Sequence, residues 1–132
     1  MRRIETEKDR FARAIRVRAI EDIMIHIKKG TDINVDSDGI RVFESLFLAG
    51  KPKSLQALDL VLKHPKWNPN YQVADFLYPE ERAMLHRKES VALRIIQHPN
   101  FNKESYPRVI QSAKRFKARK VLQFLADKEH MR

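Results

Sequence analysis

The sequence predicts an all-α fold of stacked helix–turn–helix repeats. Three observations predict it. A phrase returns at a spacing of 34 residues: Gly30-Thr31-Asp32-Ile33-Asn34, then His64-Pro65-Lys66-Trp67-Asn68, then His98-Pro99-Asn100-Phe101-Asn102. An apolar, helix-like run precedes each phrase: Ile23, Ile25 and Ile27; Leu58, Leu60, Val61 and Leu62; Val91, Leu93, Ile95 and Ile96. The chain has 132 residues and is 42% hydrophobic, which suffices for one domain with a core. A fixed period in this range marks units that bury their apolar faces against their neighbours. Residues 1–132 are accordingly expected to form a single repeat domain, with units of approximately 7–34, 35–68, 69–102 and 103–132. No linker is legible, and no β-sheet is expected.

Residues 7–29 read as two helices. Phe11, Ala14, Ile15 and Ala19 form one apolar stripe. Ile20, Ile23, Met24 and Ile27 form the next at i, i+3, i+4, i+7 spacing. Gly30 suits the left-handed conformation that ends a helix. Residues 31–39 read as a polar turn, and a helix through about 40–49 carries Val42, Phe43, Leu46 and Phe47. Gly50-Lys51-Pro52 breaks it. Ser54 is the expected N-cap of a helix to about residue 63. Pro65 ends that helix, because a proline ring restricts the residue before it. Tyr71, Val73, Phe76 and Leu77 suggest a short helix. Pro79-Glu80-Glu81-Arg82 reads as the start of another, since proline suits the first helical turn. Residues 89–97 repeat the closing helix. Val109, Ile110 and Ala113 lie on a further helix, and Val121, Leu122, Phe124 and Leu125 on the last.

Ile27-Lys28-Lys29-Gly30-Thr31-Asp32-Ile33-Asn34 resembles the end of an ankyrin repeat, whose second helix closes with apolar residues and Gly-x-Asp-Val-Asn. Gly39 and Phe43 fall where that consensus has its turn glycine and the leucine of Thr-Pro-Leu-His. Other units depart from it. His64-Pro65 and His98-Pro99 replace Gly-Ala, Arg41-Val42-Phe43-Glu44 replaces the tetrapeptide, and no unit has Thr-Pro-Leu-His itself. The resemblance covers about residues 10–127 and is to a degenerate four-unit array, like ankyrin modules of bacterial effectors, viruses and protists. It implies an ankyrin-like helix-turn-helix solenoid that binds proteins through its turn tips and the concave face of its first helices. It also implies that the turn asparagines bond turn backbone. Ile33, Trp67 and Phe101 would then pack beneath the turns. A ligand platform is the competing role for Trp67.

The formal net charge is +10, and its placement is uneven. Residues 1–20 hold seven Lys/Arg against three Asp/Glu, residues 103–132 nine against three, and residues 21–102 eleven of each. In a linear stack the two ends are caps, which need polar outer faces. The other role for such charge is a patch for an acidic protein or a phosphate backbone. Lys114-Arg115-Phe116-Lys117-Ala118-Arg119-Lys120 sets five cations in seven residues around one aromatic. With a helix beginning near Arg115, Arg115 and Arg119 would share a face, as would Lys117 and Lys120. Lys114, Arg115, Lys117, Arg119 and Lys120 are therefore the candidate partner-binding residues. The expected partner is an acidic protein surface. Nucleic acid held by its backbone is the alternative, since no reader motif is present.

Other motifs carry less. Asn34-Val35-Asp36-Ser37-Asp38-Gly39 matches the first half of an EF-hand loop, but Ser45 stands where the bidentate acid belongs and Arg41 where an apolar residue belongs. His64 and His98 recur in register, yet repeats roughly 8–10 Å apart cannot bring two ligands to about 2 Å from one zinc. They read instead as helix-ending residues, with a partly charged imidazole facing the negative helix end. His26, His86 and His130 show no pairing with an acid or nucleophile. The chain has no cysteine and only three glycines, at 30, 39 and 50, so no thiolate zinc site and no phosphate loop can be built. No catalysis, metal or cofactor is expected. No apolar stretch reaches the ~20 residues of a membrane helix. Met1-Arg2-Arg3-Ile4-Glu5-Thr6-Glu7 lacks the apolar core of a signal peptide. A cytoplasmic location is expected, in a host cell if the protein is a secreted effector.

Overall fold

The computed structural model describes residues 4–72 and 77–130. Among them are eight α-helices: α1 Glu7–Val17, α2 Ile20–Lys29, α3 Val42–Ala49, α4 Pro52–Leu62, α5 Pro79–Leu85, α6 Glu89–Ile96, α7 Tyr106–Arg115 and α8 Arg119–His130. The helical class read from the sequence is thus observed. The short helix expected around Val73 and Phe76 lies outside the described residues. Among those described, no helix is long and apolar enough to cross a membrane.

The chain divides into two compact units, Met1–Trp67 and Asn68–Arg132. Each holds two helical hairpins. In the N-terminal unit α1 packs on α3 and α2 on α4. In the C-terminal unit α5 packs on α7 and α6 on α8. First helices therefore meet first helices, and second meet second.

The starts of α1 and α4 follow from local chemistry. Thr6 caps α1: its hydroxyl accepts the Asp9 N–H at 3.1 Å, and the Asp9 carboxylate accepts the Thr6 N–H at 3.0 Å. This reciprocal box contributes about 1 kcal/mol. Ser54 is not the N-cap of α4. Pro52 takes the first helical position, where its missing N–H costs nothing, and Lys51 precedes it in an extended conformation. The Ser54 hydroxyl donates back to the Lys51 carbonyl.

The polar turn expected at residues 31–39 ends instead in a small β-ribbon, which also takes the first two residues expected in the next helix. Strands β1 Asp36–Ser37 and β2 Ile40–Arg41 pair antiparallel, Asp36 opposite Arg41 and Ser37 opposite Ile40. Asp38 and Gly39 both take positive φ, 54° and 79°. That is the backbone of the two-residue hairpin for which Asp-Gly is the sequence sign. The expectation of no strand overlooked this dipeptide, and α3 accordingly begins at Val42 rather than near residue 40.

Ile33, Trp67 and Phe101 are all buried, at 2%, 1% and 4% exposure. Trp67 lies against Phe43, ring centroids 5.6 Å apart, and Phe101 against Tyr106 at 6.1 Å. The turn asparagines do bond backbone. Asn34 Nδ2 donates to the Lys66 carbonyl at 2.8 Å, and Asn68 and Asn102 accept the N–H groups of Asn70 and Glu104 at 2.9 and 3.0 Å. Asn70, outside the repeated phrase, bridges in its own unit to the Asn100 carbonyl at 2.7 Å and the Asn102 N–H at 2.9 Å.

His64 and His98 stand just past the ends of α4 and α6. Their Nδ1 atoms accept the N–H of Lys66 and of Asn100, each at 3.1 Å. Both rings thereby close the turn that follows their helix.

Candidate functional site: a basic helix-turn edge

Three of the four helical hairpins turn through a cation. Arg18, Arg87 and Lys117 have φ of 56°, 60° and 57°, and Gly50 holds the fourth turn at 62°. After each cation the next N–H reaches back five residues. Ala19 bonds the Ala14 carbonyl at 3.0 Å, Lys88 that of Ala83 at 2.8 Å, and Ala118 that of Ala113 at 2.8 Å. This is the Schellman closure, which normally uses glycine because a Cβ is disfavoured there. The sequence signal was a buried alanine four residues before a cation, Ala14/Arg18, Ala83/Arg87 and Ala113/Lys117, and the sequence reading did not use it.

The five candidate cations sit on the last of these turns. Lys114 and Arg115 close α7, Lys117 is the left-handed residue, and Arg119 and Lys120 open α8. The expected helical face is therefore not formed, because the chain leaves the helix between Arg115 and Arg119. All five are exposed. None makes an ion pair among the described residues. Arg115 lies over the Phe116 ring at 5.4 Å. Lys114 and Arg115 suit the negative end of α7, but Arg119 and Lys120 stand at the positive end of α8, which has no acidic residue in its first turn. Glu89, from the start of α6, compensates: its Oε1 accepts the Lys120 N–H at 3.3 Å. Exposed Arg87 and Lys88 on the neighbouring turn add to the same edge. Two cations set against a helix dipole break a local rule, as functional sites tend to do. Within the unit this edge lies at the opposite end of α7 from the closing turns.

A cleft of about 270 Å³ separates the two turns, with Met84, Phe116 and Ala118 among its lining and Arg87, Lys117 and Arg119 around them. In the N-terminal unit Lys53 Nζ donates to Glu21 Oε1 at 2.6 Å, between the corresponding turns. That bond holds the Glu21 carboxyl below its ordinary range and the Lys53 ammonium above it.

His26 does meet an acid, which the sequence reading missed. Its Nδ1 is 3.5 Å from Glu7 Oε2 and 3.3 Å from Thr31 Oγ1, and its ring stacks on Phe11. This resembles a catalytic triad only in composition. A relay needs the acid on one ring nitrogen and the nucleophile on the other, whereas here both face Nδ1. Glu7 is further engaged by Lys29 at 3.2 Å and Arg10 at 2.6 Å. The hydrogen bond from Lys29, chiefly, holds its carboxyl below the usual range.

Among the described residues, no three or more His, Asp or Glu side chains gather as a metal site. Asp36 of the half EF-hand loop faces Arg41 across the ribbon, Oδ2 to Nε 3.5 Å. Asp32 Oδ1 accepts the Asn34 N–H at 3.0 Å. Calorimetric titration with calcium or zinc should give no site tighter than adventitious binding. A one-to-one micromolar calcium isotherm, lost in Asp36→Ala, would show that the half loop binds.

Comparison of the chain with protein-family models, curated proteins and solved structures gives no match.

Proposed function

We propose that this chain is a non-catalytic, ankyrin-like module that binds an acidic protein surface through the helix-turn edge of its C-terminal unit. One observation carries the reading: Lys114, Arg115, Lys117, Arg119 and Lys120 are all exposed on one turn, with no carboxylate paired to them among the described residues. The ankyrin-like reading is supported by the closing phrase at Gly30–Asn34, by the ribbon turn at Gly39, and by like-with-like helix packing inside each unit. The mode of action is occupation or bridging of a partner, as adaptors and inhibitors do.

The test is reversal of the five cations to glutamate. Exposed ion pairs contribute about 0.5 kcal/mol each. Five lost together should weaken binding to poly-glutamate roughly 60-fold at ~0.15 M salt, where screening acts beyond ~8 Å. Heterogeneous DNA or RNA should bind wild type more weakly than poly-glutamate under the same conditions. Tight nucleic-acid binding at that salt, with log affinity falling against log salt and abolished by the reversal, would instead establish a phosphate-backbone binder.

A further inference from the structure

We infer that each unit carries, between its two helix turns, a cleft that seats an apolar side chain flanked by carboxylates. The favoured partner is then an acidic segment punctuated by apolar anchor residues. This inference rests on the acidic-partner reading and adds what lies between the charges.

The two clefts are built alike. In the C-terminal unit, Met84, Phe116 and Ala118 form an apolar floor under Arg87, Lys117 and Arg119. In the N-terminal unit, a cleft of about 510 Å³ has Ile20 and Pro52 for its floor and Arg18, Lys51 and Lys53 around it. Each has three cations and one glutamate on its walls. In each, that glutamate starts on the earlier turn and reaches the later one. Glu21 accepts from Lys53 Nζ, and Glu89 from the Lys120 N–H. Lys53 and Lys120 occupy the same place, three residues after the left-handed Gly50 and Lys117. Thus each cleft has one glutamate of the chain's own on its wall, paired with a cation in the N-terminal unit and with a backbone N–H in the C-terminal one.

The apolar floor discriminates between partners. A phosphate backbone needs charge alone, and an apolar floor would lie unused beneath it. An anchored peptide uses both, as buried apolar side chains ringed by polar contacts do at interfaces. Among the described residues, three of the six exposed large apolar side chains stand at these turns: Val17 and Leu48 in the N-terminal unit and Leu85 in the C-terminal one, at 62%, 42% and 47% exposure. Each lies within two residues of a left-handed turn residue.

Two synthetic peptides test the inference by calorimetric titration at ~0.15 M salt. One has a leucine between two runs of three glutamates, and the other a serine in its place. The leucine peptide should bind two equivalents per chain, about tenfold more tightly than the serine peptide, the gain expected from burying most of a leucine side chain. Phe116→Glu and Pro52→Glu each place a carboxylate in one cleft, and each should remove one equivalent. Both positions reach solvent, and circular dichroism checks that the variants fold. Equal affinity for the two peptides, with the five-cation reversal abolishing both, would overturn the clefts while leaving the acidic-partner reading intact. A single equivalent of leucine peptide would overturn the duplication. Failure of both peptides to bind would overturn the clefts together with the reading beneath them.

Discussion

Replacing Trp67 with alanine should destabilise the protein by about 3–5 kcal/mol, the range for truncating a large buried aromatic. Trp67 is 1% exposed, and its ring is packed against Phe43, itself fully buried. The truncation leaves a cavity where the second closing turn meets the N-terminal core. A domain of this size has roughly 5–15 kcal/mol to lose, so the loss should be plain in urea denaturation. The measurement must be far-UV circular dichroism, because Trp67 is the single tryptophan and the variant has lost its fluorophore. Trp67→Phe keeps a ring against Phe43 and should cost less than half as much. A ligand platform would behave otherwise. If Trp67→Ala changed stability by no more than ~0.5 kcal/mol, as surface substitutions do, its core role would be refuted.

Trp67 also marks what kind of information the sequence carries openly. Its role was legible because Ile33 and Phe101 stand one period away on either side, and all three are buried. Helix positions were legible for the same reason, since apolar spacing reports one face of a helix without knowledge of its neighbours. Boundaries were less so. Ser54 has N-cap chemistry, but Pro52 starts the helix earlier. Asp38-Gly39 carried a hairpin signal, yet it also fitted half a calcium loop. The basic run at 114–120 was found by composition and misplaced by geometry: the spacing from Ala113 to Lys117 announces a left-handed turn only when set beside the same spacing in Ala83 and Arg87, thirty residues earlier. Glu89, Arg87 and Lys88 join the site only through the packing of α5 on α7 and α6 on α8. That step depends on which repeat faces which, and no single run of sequence holds it.

The same limit hid the second large effect, which sits between α5 and α7. Replacing Arg108 with alanine should cost about 3 kcal/mol at neutral pH, and the cost should shrink as the pH is lowered. Arg108 joins two carboxylates 27 and 28 residues away. Its Nη2 is 2.8 Å from Glu80 Oε1, and its Nη1 donates to Glu81 Oε1 at 2.9 Å. The guanidinium also stacks 3.5 Å from the centre of the Tyr78 ring. Glu81 has other partners, the Tyr78 N–H at 3.1 Å and the Ser112 hydroxyl. Glu80 is fully buried and has Arg108 as its counter-charge. Removing the cation strands a buried carboxylate, the costly half of breaking a buried pair. Burial, more than any other cause, holds the Glu80 carboxyl above its ordinary 4.5 even with Arg108 beside it. The folded protein therefore binds this proton more readily than the unfolded chain. The group's stabilising contribution is complete below pH 4.5 and is lost as pH rises through the raised folded value. Arg108→Ala pushes that value higher still, so its penalty should grow as the pH rises from 4.5 through the raised folded value. Glu80→Gln removes the titration. Its stability relative to wild type should rise with pH across the same window, and in its background Arg108→Ala should lose its pH dependence. Urea denaturation of the four proteins at several pH values measures each term. A penalty for Arg108→Ala that stays flat with pH, or that is unchanged in the Glu80→Gln background, would show that Arg108 acts through its stacking on Tyr78 and not through the charge on Glu80.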